Sequence, residues 1–276
     1  MYRSRWPTKR KGKYDFRFRN YHTRMKMKKL MASLLALCMV LGLASAFAET
    51  KEYNTVEPGK FIYATSPDFL PFEGRDDQDN VIGIEPDLVA LICEKLGLTA
   101  EAYPIDFDSA LAAPAAGTVD AVVSGVTIRE DRKAVLDFTI PYATITQAIA
   151  QKAGSGITMD NLGEKTIGVQ NGTTGHIYAV DDFGEDHVVA YTTYALAFQA
   201  LQNGQVDCVL LDDLVANDFA KKIAGLEVAP TTYEPENFGF GFAKGKAPEL
   251  LAAFNETLQA LIDDGTVEGI MLKWQE

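Results

Sequence analysis

The apolar positions along this chain change period repeatedly. Lys60–Thr65 (KFIYAT) is a short β-type run, and the segment after it, SPDFLPFEGRDDQDN, reads as loop from its Pro, Gly and Asp content. From Asp87 onward, Leu88, Leu91, Ile92 and Leu96 repeat at a helical spacing, and Gly97 supplies the stop. Strands are predicted at 121–124, 145–151, 166–170, Val188–Tyr191, 208–211 and 239–243, with helices near 174–180, Tyr194–Asn203 and Pro248–Asp263. This alternation predicts an α/β chain of mostly parallel sheets flanked by helices, with ligand sites at the C-terminal ends of the strands.

Two junctions echo one another. Gly117-Thr-Val-Asp120-Ala-Val-Val and Gly204-Gln-Val-Asp207-Cys-Val-Leu each place a helix-stopping Gly before a strand, 87 residues apart. The echo points to two similarly built lobes, although αβ junctions of this form also arise independently.

The first 48 residues follow another pattern. Lys26, Lys28 and Lys29 precede 19 uncharged residues, Leu30 to Ala48, which close on Ala46-Phe47-Ala48 before Glu49. This predicts a signal peptide over 1–48 with an A-x-A cleavage site; the competing reading is an uncleaved membrane anchor, since 19 residues just span a bilayer. Residues 1–24 are long for a basic start region, and Met25 or Met27 is a candidate first residue. Charge divides at the same place: 1–48 hold 12 basic residues and one acid, Asp15, whereas 49–276 hold 14 basic and 37 acidic residues. A body so acidic is repelled by phosphate backbones and anionic lipid surfaces, which argues against nucleic-acid and peripheral-membrane roles.

Three cysteines do not make a disulfide scaffold. Cys38 belongs to the leader, and Leu37 before it is too large for the usual lipidation site. Cys93 and Cys208 read as small core residues, with a bridge between them left open. The three His are His22, His176 and His187, so no H-x-x-x-H metal pattern exists, and G-x-S-x-G and dinucleotide glycine fingerprints are missing. No cofactor and no metal are expected.

TSPDFLPFEGRDDQDNVIGIEPDLVALICEKLG, VDAVVSGVTIREDRKAVLDFTIPY, LGEKTIGVQNGTTGHIY, YALAFQALQNGQVDCVLLDD and LLAAFNETLQALIDDGTVEGIMLKW occur in this order over 54–274. These segments resemble the extracellular solute-binding proteins of polar amino acid ABC importers, family 3, of the glutamine-, histidine- and lysine/arginine/ornithine-binding kind. The resemblance implies a type II periplasmic-binding-protein-like fold, with lobe 1 from 54–143 plus 240–276, lobe 2 from 148–235, and a hinge at 143–147 and 236–239. It implies a monomeric binding protein rather than an enzyme, exported to the periplasm or cell surface. Its partners are then a free L-amino acid and a membrane permease.

A free amino acid brings a carboxylate and an ammonium close together, and burying either without a partner costs several kcal/mol. Arg132 in VTIREDRK aligns with the family's carboxylate-gripping arginine, and its planar fork suits that group. Arg129 competes for the role. Asp212 aligns with the ammonium's partner, while helix N-capping is the alternative for it and for Asp213. Ser124, Gly125 and Thr127 follow a strand and align with residues offering backbone and hydroxyl groups. Thr173 and Thr174, in the turn Gln170-Asn171-Gly172-Thr173-Thr174 before a helix, align with contacts from lobe 2 to the carboxylate. Phe69 and Phe107 align with the aromatics that sandwich the ligand's side chain.

The ligand's side chain is expected to be uncharged. Family members that bind cationic amino acids commonly carry an aspartate where this chain has Ser66, and Gln170, facing the side chain, offers an amide. Glu73 and Asp106 are the other carboxylates that would serve a cation there. Two further functions share this fold: a secreted dehydratase acting on cyclohexadienyl acids, which needs a general acid in the cleft, and a stand-alone amino acid sensor, which normally continues into a membrane span and a signalling region.

Overall fold

The structure, a computed structural model, describes residues 52–276. The leader expected over 1–48, with its cleavage site and Cys38, lies outside them. Strand β1 (Lys60–Thr65) runs into a hairpin of β2 (Gly74–Arg75) and β3 (Val81–Ile82), followed by α1 (Ile84–Leu96), β4 (Thr99–Pro104), α2 (Phe107–Ala116), β5 (Ala121–Val122), α3 (Glu130–Lys133) and β6 (Leu136–Phe138). After β7 (Ala143–Ile145) come β8 (Gln147–Lys152), β9 (Ile167–Gln170), α4 (Thr174–Phe183), β10 (Val188–Tyr191), α5 (Tyr194–Asn203), β11 (Cys208–Asp212), α6 (Asp213–Lys222) and β12 (Leu226–Pro230). The chain returns through β13 (Glu236–Phe238) to β14 (Gly241–Ala243), α7 (Pro248–Asp263) and α8 (Thr266–Gln275).

Two five-stranded sheets result, in the orders β4-β1-β5-β14-β6 and β10-β9-β11-β8-β12. In each, four strands run one way and the fifth, β14 or β8, runs against them. The opposed strand is in both cases the one entered from a connection between the sheets. Those connections pair as a short antiparallel ribbon, β7 with β13, Ala143 opposite Phe238 and Ile145 opposite Glu236.

The echo at Asp120 and Asp207 has a structural cause. Asp120 N donates to Ile62 O and its Oδ2 accepts from Ile62 N, both at the start of β1; Asp207 N donates to Thr166 O and its Oδ2 accepts from Thr166 N, just before β9. Each aspartate thus aligns the central strand of its sheet with the strand beside it.

Packing follows the sequence pattern. Leu250, Ala253, Phe254, Leu258 and Leu261 recur at helical spacing along α7 and are buried, with Phe254 4.5 Å from the ring of Phe61 on β1 and 5.3 Å from Phe242 on β14. Around the second sheet, Phe198 of α5 stacks on Phe219 of α6 at 4.0 Å. A buried phenylalanine in such a cluster is worth about 3–5 kcal/mol against alanine. Cys93 and Cys208 are free and buried, and burial pushes both thiols up to about 12.

Three expectations needed correction. The strand expected at 145–151 is two, because β7 belongs to the ribbon and only β8 to the sheet. The segment expected to be loop contains β2 and the turn that leads into β3, too short for a pattern to register. The strand expected at 121–124 stops at Val122, where the backbone turns to present Ser124 and Gly125.

Candidate functional site

The parallel strands of both sheets end at one small cavity. Ser66 follows β1; Ser124, Gly125 and Thr127 follow β5; Gln170 closes β9 and Thr173 and Thr174 follow it; Asp212 closes β11. Phe69, Phe107 and Arg132 complete a set of eleven sequence-predicted residues, all lining the same space, and Glu73 joins them.

Arg132 comes from the single turn of α3 and is only 7% exposed. Its Nη1 donates to Thr127 O at 3.1 Å and its Nη2 to Gly172 O at 3.0 Å, while its guanidinium sits 5.6 Å from the centre of the Phe107 ring. Burial, with Arg129 nearby, lowers its pKa to about 10. Arg129 itself pairs with Asp131 at 3.0 Å and lies over Tyr178, away from the cavity. Of the two arginines, Arg132 lines the cavity and Arg129 does not.

Asp212 is 5% exposed, and its Oδ1 accepts from Gln147 Nε2. It occupies the N-cap position of α6 without capping it, and Asp213 is held by Thr146 instead. Burial pushes its carboxyl well up, the charges of Glu236 and Asp213 adding to the effect and the Gln147 bond and Arg132 opposing it. Arg132 and Asp212 thus face one cavity as a buried guanidinium and a buried carboxyl, and among the described residues neither is in an ion pair. Leaving charges in that condition is costly, and a zwitterion relieves both at once.

Hydroxyls and backbone fill the space between. Ser124 Oγ donates to Glu73 Oε1 at 2.8 Å and accepts from Ser66 N at 2.9 Å; Thr127 Oγ1 donates to Glu236 Oε2 at 2.8 Å. Thr173 caps α4 by accepting from His176 N, and Thr174 Oγ1 accepts from Gln147 Nε2 at 3.2 Å. Thr173 and Thr174 bring the start of α4 to the cavity wall, the end of a helix that favours an anion. Gly125 sits at φ +54, and a Cβ there would lie 2.6 Å from the Phe69 ring, so only glycine lets that ring close on the main chain. Phe69 stacks in turn on Tyr194 of α5, 5.6 Å away.

At the other end of the cavity, Gln170 Nε2 donates to Thr192 O at 3.1 Å and to Ser66 Oγ at 3.4 Å, and Ser66 Oγ donates to Asp68 Oδ1. Glu73 is 1% exposed, and its Oε2 has no hydrogen-bond partner. Burial pushes its carboxyl well up, with the neighbouring Glu85 adding to the effect.

The model of the bacterial extracellular solute-binding proteins, family 3, matches residues 61–276. The chain belongs to that family. Among similar proteins, ABC transporter arginine-binding protein 1 of Escherichia coli K12 is 30% identical over 252 residues, covering 90% of this chain and 99% of the relative. The arginine-, lysine-, histidine-binding protein ArtJ of Geobacillus stearothermophilus has a TM-score of 0.74 at 35% identity, over 78% of this chain and 94% of that one. An ancestral arginine-binding protein, solved bound to glutamine and bound to arginine, has a TM-score of 0.74 at 34% and 35% identity, over 78% of this chain and 97% and 98% of those. The two-lobed α/β fold is common to the family.

Two polar residues of this family member, Gln147 and Glu236, escaped the sequence reading as site candidates, and Glu73 entered it only as a stand-in carboxylate for a cationic ligand. Each is buried with one side-chain oxygen lacking a partner. Gln147 carried a faint signal, a polar residue opening the otherwise apolar strand QAIAQ. Glu236 lies in the ribbon, where no period marks a face.

Proposed function

We propose that this family member is the substrate-binding component of an amino acid ABC importer, capturing a free L-amino acid between its two lobes and delivering it to a membrane permease. The observation that carries this reading is the guanidinium of Arg132 and the carboxyl of Asp212, both buried at one cavity and, among the described residues, in no ion pair. Arg132 holds the α-carboxylate with Thr173 and Thr174, Asp212 the α-ammonium, and Ser124, Gly125 and Thr127 the polar groups between. Phe69 and Phe107 flank the ligand's side chain. The lobes, 54–143 with 240–276 and 148–235, turn about 143–147 and 236–239.

For the side chain we place the cationic amino acids, arginine first, ahead of uncharged ones, which reverses the order expected from Ser66. Glu73, buried in the cavity wall beside Ser124, supplies the counter-charge that Ser66 does not. Glutamine is the second reading, because Gln170 and Ser66 present amide and hydroxyl groups there, and the ancestral relative was solved with either ligand. The protein acts by binding as an exported monomer, with residues 1–48 removed, and we assign it no chemical step.

A thermal-shift panel of the twenty amino acids tests this. A ligand at a hundredfold excess over Kd stabilises the fold by about 2.7 kcal/mol, so arginine should give the largest shift and glutamine a smaller one. A panel in which no amino acid shifts the melt rejects the reading, and product formation from arogenate or prephenate would install the dehydratase instead.

A further inference from the structure

Behind the cavity lies a second carboxyl that touches no candidate ligand-binding group except through Glu73 and Gly125. Glu85, in the first turn of α1, is 0% exposed; its oxygens accept from Gly125 N at 3.1 Å, and Oε1 also accepts from the Tyr142 hydroxyl. Glu73 and Glu85 stand within hydrogen-bonding reach of each other. The titratable groups facing them are Tyr63 on β1, Tyr142 before β7 and Asp68 in the loop after β1, with Cys93 of α1 beside Tyr63 and Asp212 facing Tyr142 from the second sheet. All are acids, and among the described residues neither carboxyl is in an ion pair with a cation.

Two carboxylates buried side by side without a cation cannot both ionise. We propose that Glu73 and Glu85 share one proton in the ligand-free protein, and that the cationic end of a ligand's side chain takes that proton's place. The proton passes to solvent, leaving two carboxylates against one bound cation. A side-chain amide needs no such exchange, because it bonds to the pair as it stands. Glu85 is thereby a positioning residue that sets which side-chain charge the site accepts at a given pH: lower pH favours the amide, higher pH the cation. Burial raises both carboxyls, in keeping with a held proton.

The inference rests on the amino acid-binding reading, and one experiment separates their failures. The full chain is titrated calorimetrically with arginine and with glutamine, in buffers of different ionisation heat. Both ligands carry the same α-groups, so any proton displaced from Asp212 is common to both. Arginine should release about one proton more than glutamine, and its affinity should rise relative to glutamine's by up to about tenfold per pH unit where the pair titrates.

In Glu85→Gln, the new amide donates to Glu73 and removes the like charge that helps hold the proton, so the difference in proton release should fall while both ligands still bind. Should that variant misfold, infrared difference spectra of the unaltered protein give the same answer: a protonated-carboxyl band lost on adding arginine and retained with glutamine. Equal proton release by the two ligands, or binding of glutamine without arginine, overturns the inference; binding of neither overturns the proposed function.

Discussion

Arg132 Nη2 donates to Gly172 O, 3.0 Å away in the turn after β9, so one guanidinium rooted in the first sheet ties down the end of the second. The same fork holds Thr127 O through Nη1. A lysine ammonium is a single point and cannot serve two carbonyls and a carboxylate together. Arg132→Ala should weaken amino acid binding by about 2–5 kcal/mol, roughly thirtyfold to several-thousandfold, and Arg132→Lys should recover little of it. Arg129→Ala, which removes a side chain paired with Asp131, should change affinity by about twofold at most. Calorimetric titration of the three variants checks this, and a wild-type affinity in Arg132→Ala removes that residue from the site.

Gly125 and Gly172 separate two reasons for a glycine. Both have positive φ, +54 and +76, a conformation costing a non-glycine residue about 1–2 kcal/mol. At Gly172 the added Cβ meets only the Asp108 carboxylate, at 3.0 Å, whereas at Gly125 it lands 2.6 Å from the Phe69 ring. Gly172→Ala should therefore lower the melting temperature with affinity largely kept. Gly125→Ala should lower both, because the ring must leave the cavity. Thermal melts paired with ligand titrations distinguish them.

Much of this arrangement was legible beforehand. The α/β alternation followed from periodicity, and the eleven cavity residues followed from family resemblance, all but Phe69, Phe107 and Arg132 at strand ends, where a fixed backbone leaves little freedom in where a side chain goes. Glu73 was legible only as a stand-in carboxylate beside Asp106, because a carboxylate in a Pro-containing loop looks solvated and the Ser124 hydroxyl that bonds to it lies 51 residues on. Gln147 and Glu236 resisted for a similar reason. Glu236 is set opposite Ile145 by the pairing of β7 with β13, and Gln147 opposite Asp212, 65 residues on, by the pairing of β8 with β11, contacts that no local pattern encodes. The ligand expectation drawn from Ser66 was weakened by the same long-range placement of Glu73.

Asp120 and Asp207 do one job in two sheets with unequal stakes. Asp120 is 9% exposed and accepts from Val56 N and Ile62 N, both at 2.7 Å, whereas exposed Asp207 accepts from Thr166 N alone through its side chain. Removing the acceptor strands two amides in the first case and one near-surface amide in the second. Each buried unsatisfied donor costs about 1–3 kcal/mol. Asp120→Ala should thus destabilise clearly more than Asp207→Ala in denaturant titrations. Neither should alter amino acid affinity in the folded protein, since both aspartates lie at the strand ends remote from the cavity.

Asp212→Asn should make the free protein more stable and a worse binder. The carboxyl of Asp212 is held well above the ordinary aspartate range, chiefly by burial. The folded form therefore holds its proton more tightly than the unfolded chain does, so its contribution to stability falls as pH rises from about 4 through the folded value. Asparagine keeps an oxygen for Gln147 Nε2 and carries no charge to desolvate. The melting temperature of the variant should exceed that of the unaltered protein at pH 8, by about 2–4 °C for each kcal/mol recovered, with a smaller gain at pH 5. Affinity should move the other way, because the α-ammonium then enters without its counter-charge, at a cost of about 2–5 kcal/mol. Melts at both pH values and a calorimetric titration check the two halves separately: a lower melting temperature at pH 8 rejects the buried-charge account, and undiminished affinity means that the ammonium is held elsewhere.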